Sequence, residues 1–147
     1  MAHRFPLRVY IEDTDIGGIV YYVNYLKFME RARTELLRAA GYQQHALKAQ
    51  GLLFVVHSVS ARYRQSARLD DELMVQTTIE RMASASLVFA QRVVRPGDQA
   101  LLCSAEVRVA AVDAASMRPM ALPGMLAADL QSYLIGTEQS EGESGSG

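Results

Sequence analysis

An α+β domain, with one long helix packed across a five-stranded antiparallel sheet, is the fold class this sequence predicts. Apolar residues recur at helical spacing in one long stretch, from about Asn24 to Ala40. Five other stretches have strand character. The links between the later ones are too short for a parallel crossover, which needs a dozen residues or more.

The first strand is read from Phe5, Leu7, Val9 and Ile11, which alternate with Pro6, Arg8, Tyr10 and Glu12. That period of two describes a strand with one face buried. In the helix, Tyr25, Phe28, Met29, Ala32, Leu36 and Ala40 form the apolar stripe, and Lys27, Glu30, Arg31, Arg33, Glu35 and Arg38 supply the polar positions. Asn24 is the expected N-cap and Gly41 the terminator. A short helical turn follows around His45 to Gln50, closed by Gly51.

Further strands are expected at 53–63, 72–82, 86–95 and 100–112. In the first of these, Leu53, Val55, His57, Val59, Ala61 and Tyr63 alternate with Phe54, Val56, Ser58, Ser60 and Arg62. Ser66–Asp71, Ala83–Ala85 and Arg95-Pro96-Gly97-Asp98 are the connecting turns. The expected order is strand, helix, then four strands in a meander. One helix covers one face only, and Leu102, Ala110 and Val112 stand opposite Leu101, Cys103, Ala105, Val107 and Val109. A partner subunit is expected to cover the apolar surface left over.

A single domain over residues 1–135 accounts for the 147-residue chain, because 136–147 is mostly Gly, Ser, Glu and Gln and is expected to be a disordered tail. Half of the residues are hydrophobic and the formal net charge is −1, which argues against a nucleic-acid binder. No apolar run reaches the ~18 residues of a membrane span and the N-terminus lacks the apolar core of a secretory signal, so a cytoplasmic location is expected. Cys103, the single cysteine, reads as a small buried hydrophobe.

The chemistry is concentrated in Glu12-Asp13-Thr14-Asp15-Ile16-Gly17-Gly18, between the first strand and the long helix. Gly17 and Gly18 allow a sharp turn or a close backbone approach to a ligand. Unpaired amides of Tyr22 and Val23 would lie at the positive end of the helix, facing the loop that carries the carboxylates. A base and a site that polarises an electrophile would meet there.

Other chemistries find less support. A calcium loop starting at Asp13 would need an oxygen ligand at Gly17 and a glutamate at Asn24. His3, His45 and His57 lie far apart and no cysteine cluster exists, so no metal and no cofactor are expected. There is no G-x-S-x-G elbow, phosphate loop or dinucleotide motif.

The run Val9-Tyr10-Ile11-Glu12-Asp13-Thr14-Asp15, continued in Tyr25-Leu26-Lys27-Phe28-Met29-Glu30-Arg31-Ala32-Arg33-Thr34-Glu35, resembles the hotdog-fold acyl-CoA thioesterases. It is similar to the 4-hydroxybenzoyl-CoA thioesterase-like group, and more so to its Tol-Pal-associated bacterial subfamily. The resemblance runs on through Ala67-Arg68-Leu69-Asp70-Asp71, Ser86-Leu87-Val88-Phe89 and Pro119-Met120-Ala121-Leu122-Pro123. It implies a hotdog fold, a homodimer paired through its sheets and often a homotetramer, with active sites at the subunit interface. It also implies Asp15 as catalytic carboxylate, the Tyr22 backbone amide as oxyanion donor and Glu30 in a supporting role. Tyr22 stands where the subfamily commonly has His, so only its backbone amide carries over, and Ser66 replaces a family proline.

The expected activity is hydrolysis of an acyl-CoA to the free acid and CoA thiol, with Asp15 as general base or as nucleophile. Gly17, Gly18, Tyr21, Tyr25 and Phe54 are candidates for the substrate cleft, and His57, Arg62, Arg64 and Arg81 for the CoA phosphates. The alternative is a non-catalytic module that binds acyl-CoA or acyl carrier protein, or that serves for docking.

Overall fold

The protein is described over residues 1–135 by a computed structural model; the expected tail, 136–147, lies outside these residues. The elements are β1 (His3–Arg8), a 3-10 turn (Ile11–Asp13), α1 (Val23–Ala39), α2 (Gln44–Ala49), β2 (Leu52–Tyr63), β3 (Glu72–Ala83), β4 (Ser86–Arg95), β5 (Ala100–Asp113), α3 (Gly124–Asp129) and a final 3-10 turn (Gln131–Tyr133). All five strands join one antiparallel sheet in the order β1-β3-β4-β5-β2. This is the hotdog architecture that the sequence predicts.

The expected four-strand meander is corrected to three. Only β3, β4 and β5 follow one another; β2 pairs with β5 at one edge, and β1 takes the place beside β3. Residues 64–71 therefore cross from the β2 edge of the sheet to β3, the strand next to the opposite edge, instead of reversing. Their polar backbone is satisfied on the way: the Val9 N–H donates to the Asp71 carbonyl at 2.9 Å and the Asp70 N–H to that of Val9 at 3.0 Å. Arg95 Nη1 reaches Asp71 Oδ2 at 3.1 Å from the β4–β5 turn.

The concave face of the sheet carries Leu73, Val75, Ile79, Leu87, Phe89, Val93, Val107 and Val109, all buried, and packs with the α1 residues Phe28, Met29, Ala32 and Leu36. Leu102 and Val112, expected to face a partner, are already buried within the protomer. Val112 bridges to Pro119 of the following segment, and the carbonyl of Leu102 accepts the N–H groups of Arg64 and Gln65. The outer face is instead polar, with Gln76, Arg92, Ser104, Glu106 and Arg108 in register across it.

Two further expectations are corrected near the N-terminus. β1 ends at Arg8, and Ile11 is 76 % exposed. Asp13 Oδ2 accepts the Tyr10 N–H at 2.9 Å and closes the 3-10 turn, which breaks the alternation. The N-cap of α1 is Tyr22, with no side-chain cap. Asn24 lies inside the helix and its Nδ2 donates to the Asp13 carbonyl at 2.8 Å, tying helix to loop.

The faces of β2 also differ from simple alternation. The register slips at His57: Val56 opposes Val109, Ser58 opposes Arg108 and Val59 opposes Val107. Val107 and Val109 share the concave face, so Val56 and Val59 share it too, and Phe54 joins Ala61 and Tyr63 on that side. The edge itself is open: Val55, Val56, Val59 and Tyr63 are 38–46 % exposed. By contrast β1, the other edge, is six residues long and carries Pro6, Arg4 and Arg8, the means by which edges are kept from pairing.

Candidate active site

The carboxylate of Asp15 sits in a tethered loop. Residues 14 and 20 bridge like a small hairpin, the Asp15 N–H donates to the Ile19 carbonyl at 2.9 Å, and the Tyr21 N–H donates to the Asp13 carbonyl at 3.1 Å. On the other side the Val20 N–H donates to the Ala67 carbonyl at 2.8 Å. Asp15 Oδ1 accepts the Gly17 N–H at 2.9 Å, which turns the side chain and leaves Oδ2 open. Gly18 has φ +77°, a conformation that side-chain-bearing residues rarely adopt. A Cβ at Gly17 would stand 3.3 Å from Asp15 Oδ1.

The two aspartates thus divide their roles. Asp13 is occupied with the backbone, through its carboxylate on Tyr10 and its carbonyl under Asn24. Asp15 is exposed, and among the described residues its second oxygen has no partner.

Asp15 shares a cavity of about 360 Å³ with Tyr21, Tyr22, Tyr25, Tyr63 and Arg64. Among the described residues the Tyr22 and Val23 N–H groups have no acceptor, and α1 has no acidic side chain in its first turn. These are two of the amides that every helix start leaves over, at its positive end. The aromatic rings form a wall: Tyr22 meets Tyr63 edge-on at 5.6 Å between centroids, and Tyr25 lies 5.9 Å from Tyr63. Among the four basic candidates for CoA phosphates, Arg64 lies in this cavity, whereas His57 sits exposed at the β2 bulge, Arg62 exposed on β2 on the outer face beside Glu80 and Glu106, and Arg81 exposed on β3, all three outside it.

Tyr25 has a structural duty as well. Its hydroxyl accepts the buried Ala67 N–H at 2.8 Å, and burial raises its pKa. Tyr25→Phe keeps the ring but orphans that N–H. It is expected to lower stability by about 1–3 kcal/mol in urea denaturation.

Glu30 and Phe54 belong to a second cavity, of about 190 Å³, between α1 and the β2 edge. Arg33, Val56, Leu87, Phe89 and Val109 complete most of its wall. Arg33 Nη1 donates to Gln91 Oε1 at 2.9 Å, and the Gln91 Nε2 donates to the Met29 carbonyl at 2.9 Å and to Thr77 Oγ1 at 3.0 Å. Burial lowers the Arg33 pKa, partly offset by Glu30.

Sequence reading had not assigned Tyr63 to the site, nor Arg33 and Gln91. Gln91 did carry a signal, since it is a polar residue at an inward position between Phe89 and Val93. Tyr63 carried none, because its place beside Tyr22 and Tyr25 depends on the 64–71 crossing. Cys103 is buried, which pushes its thiol up to about 11, far from a reactive thiolate. Among the described residues no three His, Cys, Asp or Glu side chains gather as metal ligands would, and no helix is long and apolar enough to cross a membrane.

Residues 9–130 match the model of the thioesterase-like superfamily. The chain belongs to that superfamily. Its relatives include the acyl-CoA thioester hydrolase YbgC of Escherichia coli, 48 % identical over 128 residues that cover 87 % of this chain and 95 % of the relative. The acyl-CoA thioesterase YbgC of Haemophilus influenzae is 48 % identical over 120 residues, covering 81 % and 87 %. A probable thioesterase from Bartonella henselae superposes with a TM-score of 0.77 at 34 % identity, over 84 % of this chain and all of that one. The superfamily is one of thioester-cleaving enzymes, and the sequence expectation of a thioester hydrolase stands.

Proposed function

We propose that the protein hydrolyses acyl-CoA thioesters, with Asp15 as the reacting carboxylate and the Tyr22 backbone amide as oxyanion donor. The observation that carries this reading is that Asp15, with a carboxylate oxygen free of partners among the described residues, and Tyr22, at the start of α1, line one cavity. A thioester suits such a site. Its leaving group is a thiolate whose acid has a pKa of ~8.5, so departure needs little proton assistance and one carboxylate suffices.

Asp15 takes a proton from water, which adds to the carbonyl carbon, or itself adds to that carbon to give an anhydride that water opens. In both routes the negative charge that develops on the carbonyl oxygen falls to the amides at the start of α1, CoA leaves as thiolate, and the acid is released. Arg64, at the same cavity, is the cation we assign to the CoA phosphates. CoA thioesters are intracellular metabolites, so this reading puts the protein in the cytoplasm.

The two cavities are reconciled by a homodimer. Tyr22 and Glu30 are eight residues apart on one helix, ~12 Å along its axis, so the Glu30 cavity is remote from Asp15 of its own chain. The Asp15 cavity adjoins the C-terminal end of β2 through Tyr63, and the Glu30 cavity adjoins its N-terminal half through Phe54 and Val56. Antiparallel pairing of β2 with a second β2 about a two-fold axis would bring these ends together twice. Each active site would then consist of Asp15, Tyr22 and Tyr63 of one subunit and Glu30 and Phe54 of the other, the second cavity receiving the acyl group.

Thiol release from a panel of short aliphatic, long aliphatic and aromatic acyl-CoAs at neutral pH tests the activity. Turnover of at least one member is expected. Binding of CoA thioesters without thiol release would favour the non-catalytic module instead, and the same panel run on acyl carrier protein reports the preferred carrier.

A further inference from the structure

We propose that Arg33 reads the far end of the acyl group, and that the pocket it lines selects short acyl chains ending in a carboxylate. This rests on the reading that the cavity beside Glu30 and Phe54 receives the acyl group.

Among the described residues the core buries two polar side chains, Thr77 and Gln91, on adjacent strands. Both are committed beneath Arg33. Gln91 spends its two N–H groups on Thr77 and on the carbonyl of Met29. Its oxygen therefore faces the guanidinium and fixes it at 2.9 Å. Inward positions on β3 and β4 are otherwise apolar, from Leu73 and Val75 to Leu87, Phe89 and Val93, so this network replaces packing that hydrophobic side chains could supply. A buried polar network of this kind is stable only when every member is satisfied.

Arg33 is the member that is only partly buried, so its remaining donors are open to the cavity. Its guanidinium presents five N–H donors, of which one bond to Gln91 is made. Among the described residues no carboxylate lies within ion-pairing distance of it. Glu30, one turn away on the same wall, is exposed to solvent. Phe54, Leu87, Phe89 and Val109 offer the guanidinium nothing, and Gln44, the other polar residue of the lining, carries no charge. A guanidinium that faces a cavity with open donors is met best by a counter-charge, and its planar fork is matched best by a carboxylate.

Size limits the chain between thioester and carboxylate. A cavity of 150 Å³ accepts benzene, so about 190 Å³ here has room for a group of little more than six heavy atoms. Half-thioesters of four- and five-carbon dicarboxylic acids are of that size.

The test compares succinyl-CoA and glutaryl-CoA with 4-methylpentanoyl-CoA and 5-methylhexanoyl-CoA, in which an isopropyl group replaces the carboxylate at equal heavy-atom count. Blanks without enzyme correct for the self-cleavage of the dicarboxylic thioesters. Wild type is expected to favour the carboxylate member of each pair by at least about tenfold in kcat/KM. Arg33→Met should abolish that preference, bringing the two members of each pair within about threefold of one another, and its urea-denaturation transition reports separately that the variant is folded, since the substitution leaves the buried Gln91 oxygen without its donor. Arg33→Lys, which keeps the charge and loses the fork, should retain part of the preference. Preference of wild type for the branched chains, or equal slowing of all four substrates by Arg33→Met, would overturn the inference. Calorimetric binding of the same four ligands to Asp15→Asn, with and without Arg33→Met, separates this from the activity. If wild type cleaves neither these four nor any member of the wider acyl-CoA panel, the hydrolase reading falls. Arg33-dependent preference in binding would then still uphold the role of Arg33, and equal binding would remove it.

Discussion

Asp15→Asn is expected to lower kcat by two or more orders of magnitude with KM little changed, a loss of about 2.7 kcal/mol or more in transition-state stabilisation. The substitution is nearly isosteric, and the amide oxygen can still accept the Gly17 N–H that now reaches Oδ1 at 2.9 Å. Loop geometry is therefore kept, while the ability to take a proton or attack a carbonyl is removed. Asp13→Asn is the matched control. Its side chain serves the Tyr10 N–H, which an amide oxygen also serves, so activity should remain within severalfold of wild type. Steady-state kinetics on any substrate of the panel checks both, and equal losses at the two positions would refute the division of roles.

That division was only partly legible in the sequence. Carboxylate, glycines and helix start are all local, within Asp13 to Asn24, and a local pattern can be read from spacing. The capping role of Asp13 was not legible because it requires β1 to stop at Arg8, and the 3-10 turn that stops it is made by the aspartate itself. Periodicity located the helix and the four later strands closely, and the first strand apart from its end, since it reflects the burial of one face within each element. Strand order is another matter. A reversal after Tyr63 is compatible with β3 as neighbour or with a crossing to the far edge, and what decides is long-range: the pairing of Val59 with Val107 and of Phe5 with Val75.

A single slip of register had the larger consequence for the site. Strict alternation puts Phe54 and Val56 on the face opposite Val59 and Tyr63. The bulge at His57 returns them to one face, and only so does the concave side of β2 carry a cavity at each end. Nothing in the residue types at 56–58 announces it. β2 is itself an open edge with Val55, Val56, Val59 and Tyr63 exposed, and the protected edge β1 shows what this chain does where pairing is unwanted.

Mixing two inactive variants is expected to restore about a quarter of wild-type activity. Asp15→Asn removes the carboxylate, and Val56→Trp fills the cavity beside Phe54 with a side chain suited to a strand; each alone should be at least about tenfold slower than wild type. In a composite dimer the heterodimer has one site with both defects and one with neither, because Asp15 of one chain works with the cavity of the other. Random reassortment makes half of the dimers heterodimers, and half of their sites are intact, so about one site in four is functional. If each site lay within a single chain, every site would carry one defect and mixing would recover nothing. Subunit exchange after brief denaturation and refolding, followed by thiol release, reads the difference. Light scattering of each variant before mixing shows that Val56→Trp still pairs, and a wild-type protein that is monomeric at micromolar concentration would remove the shared site altogether.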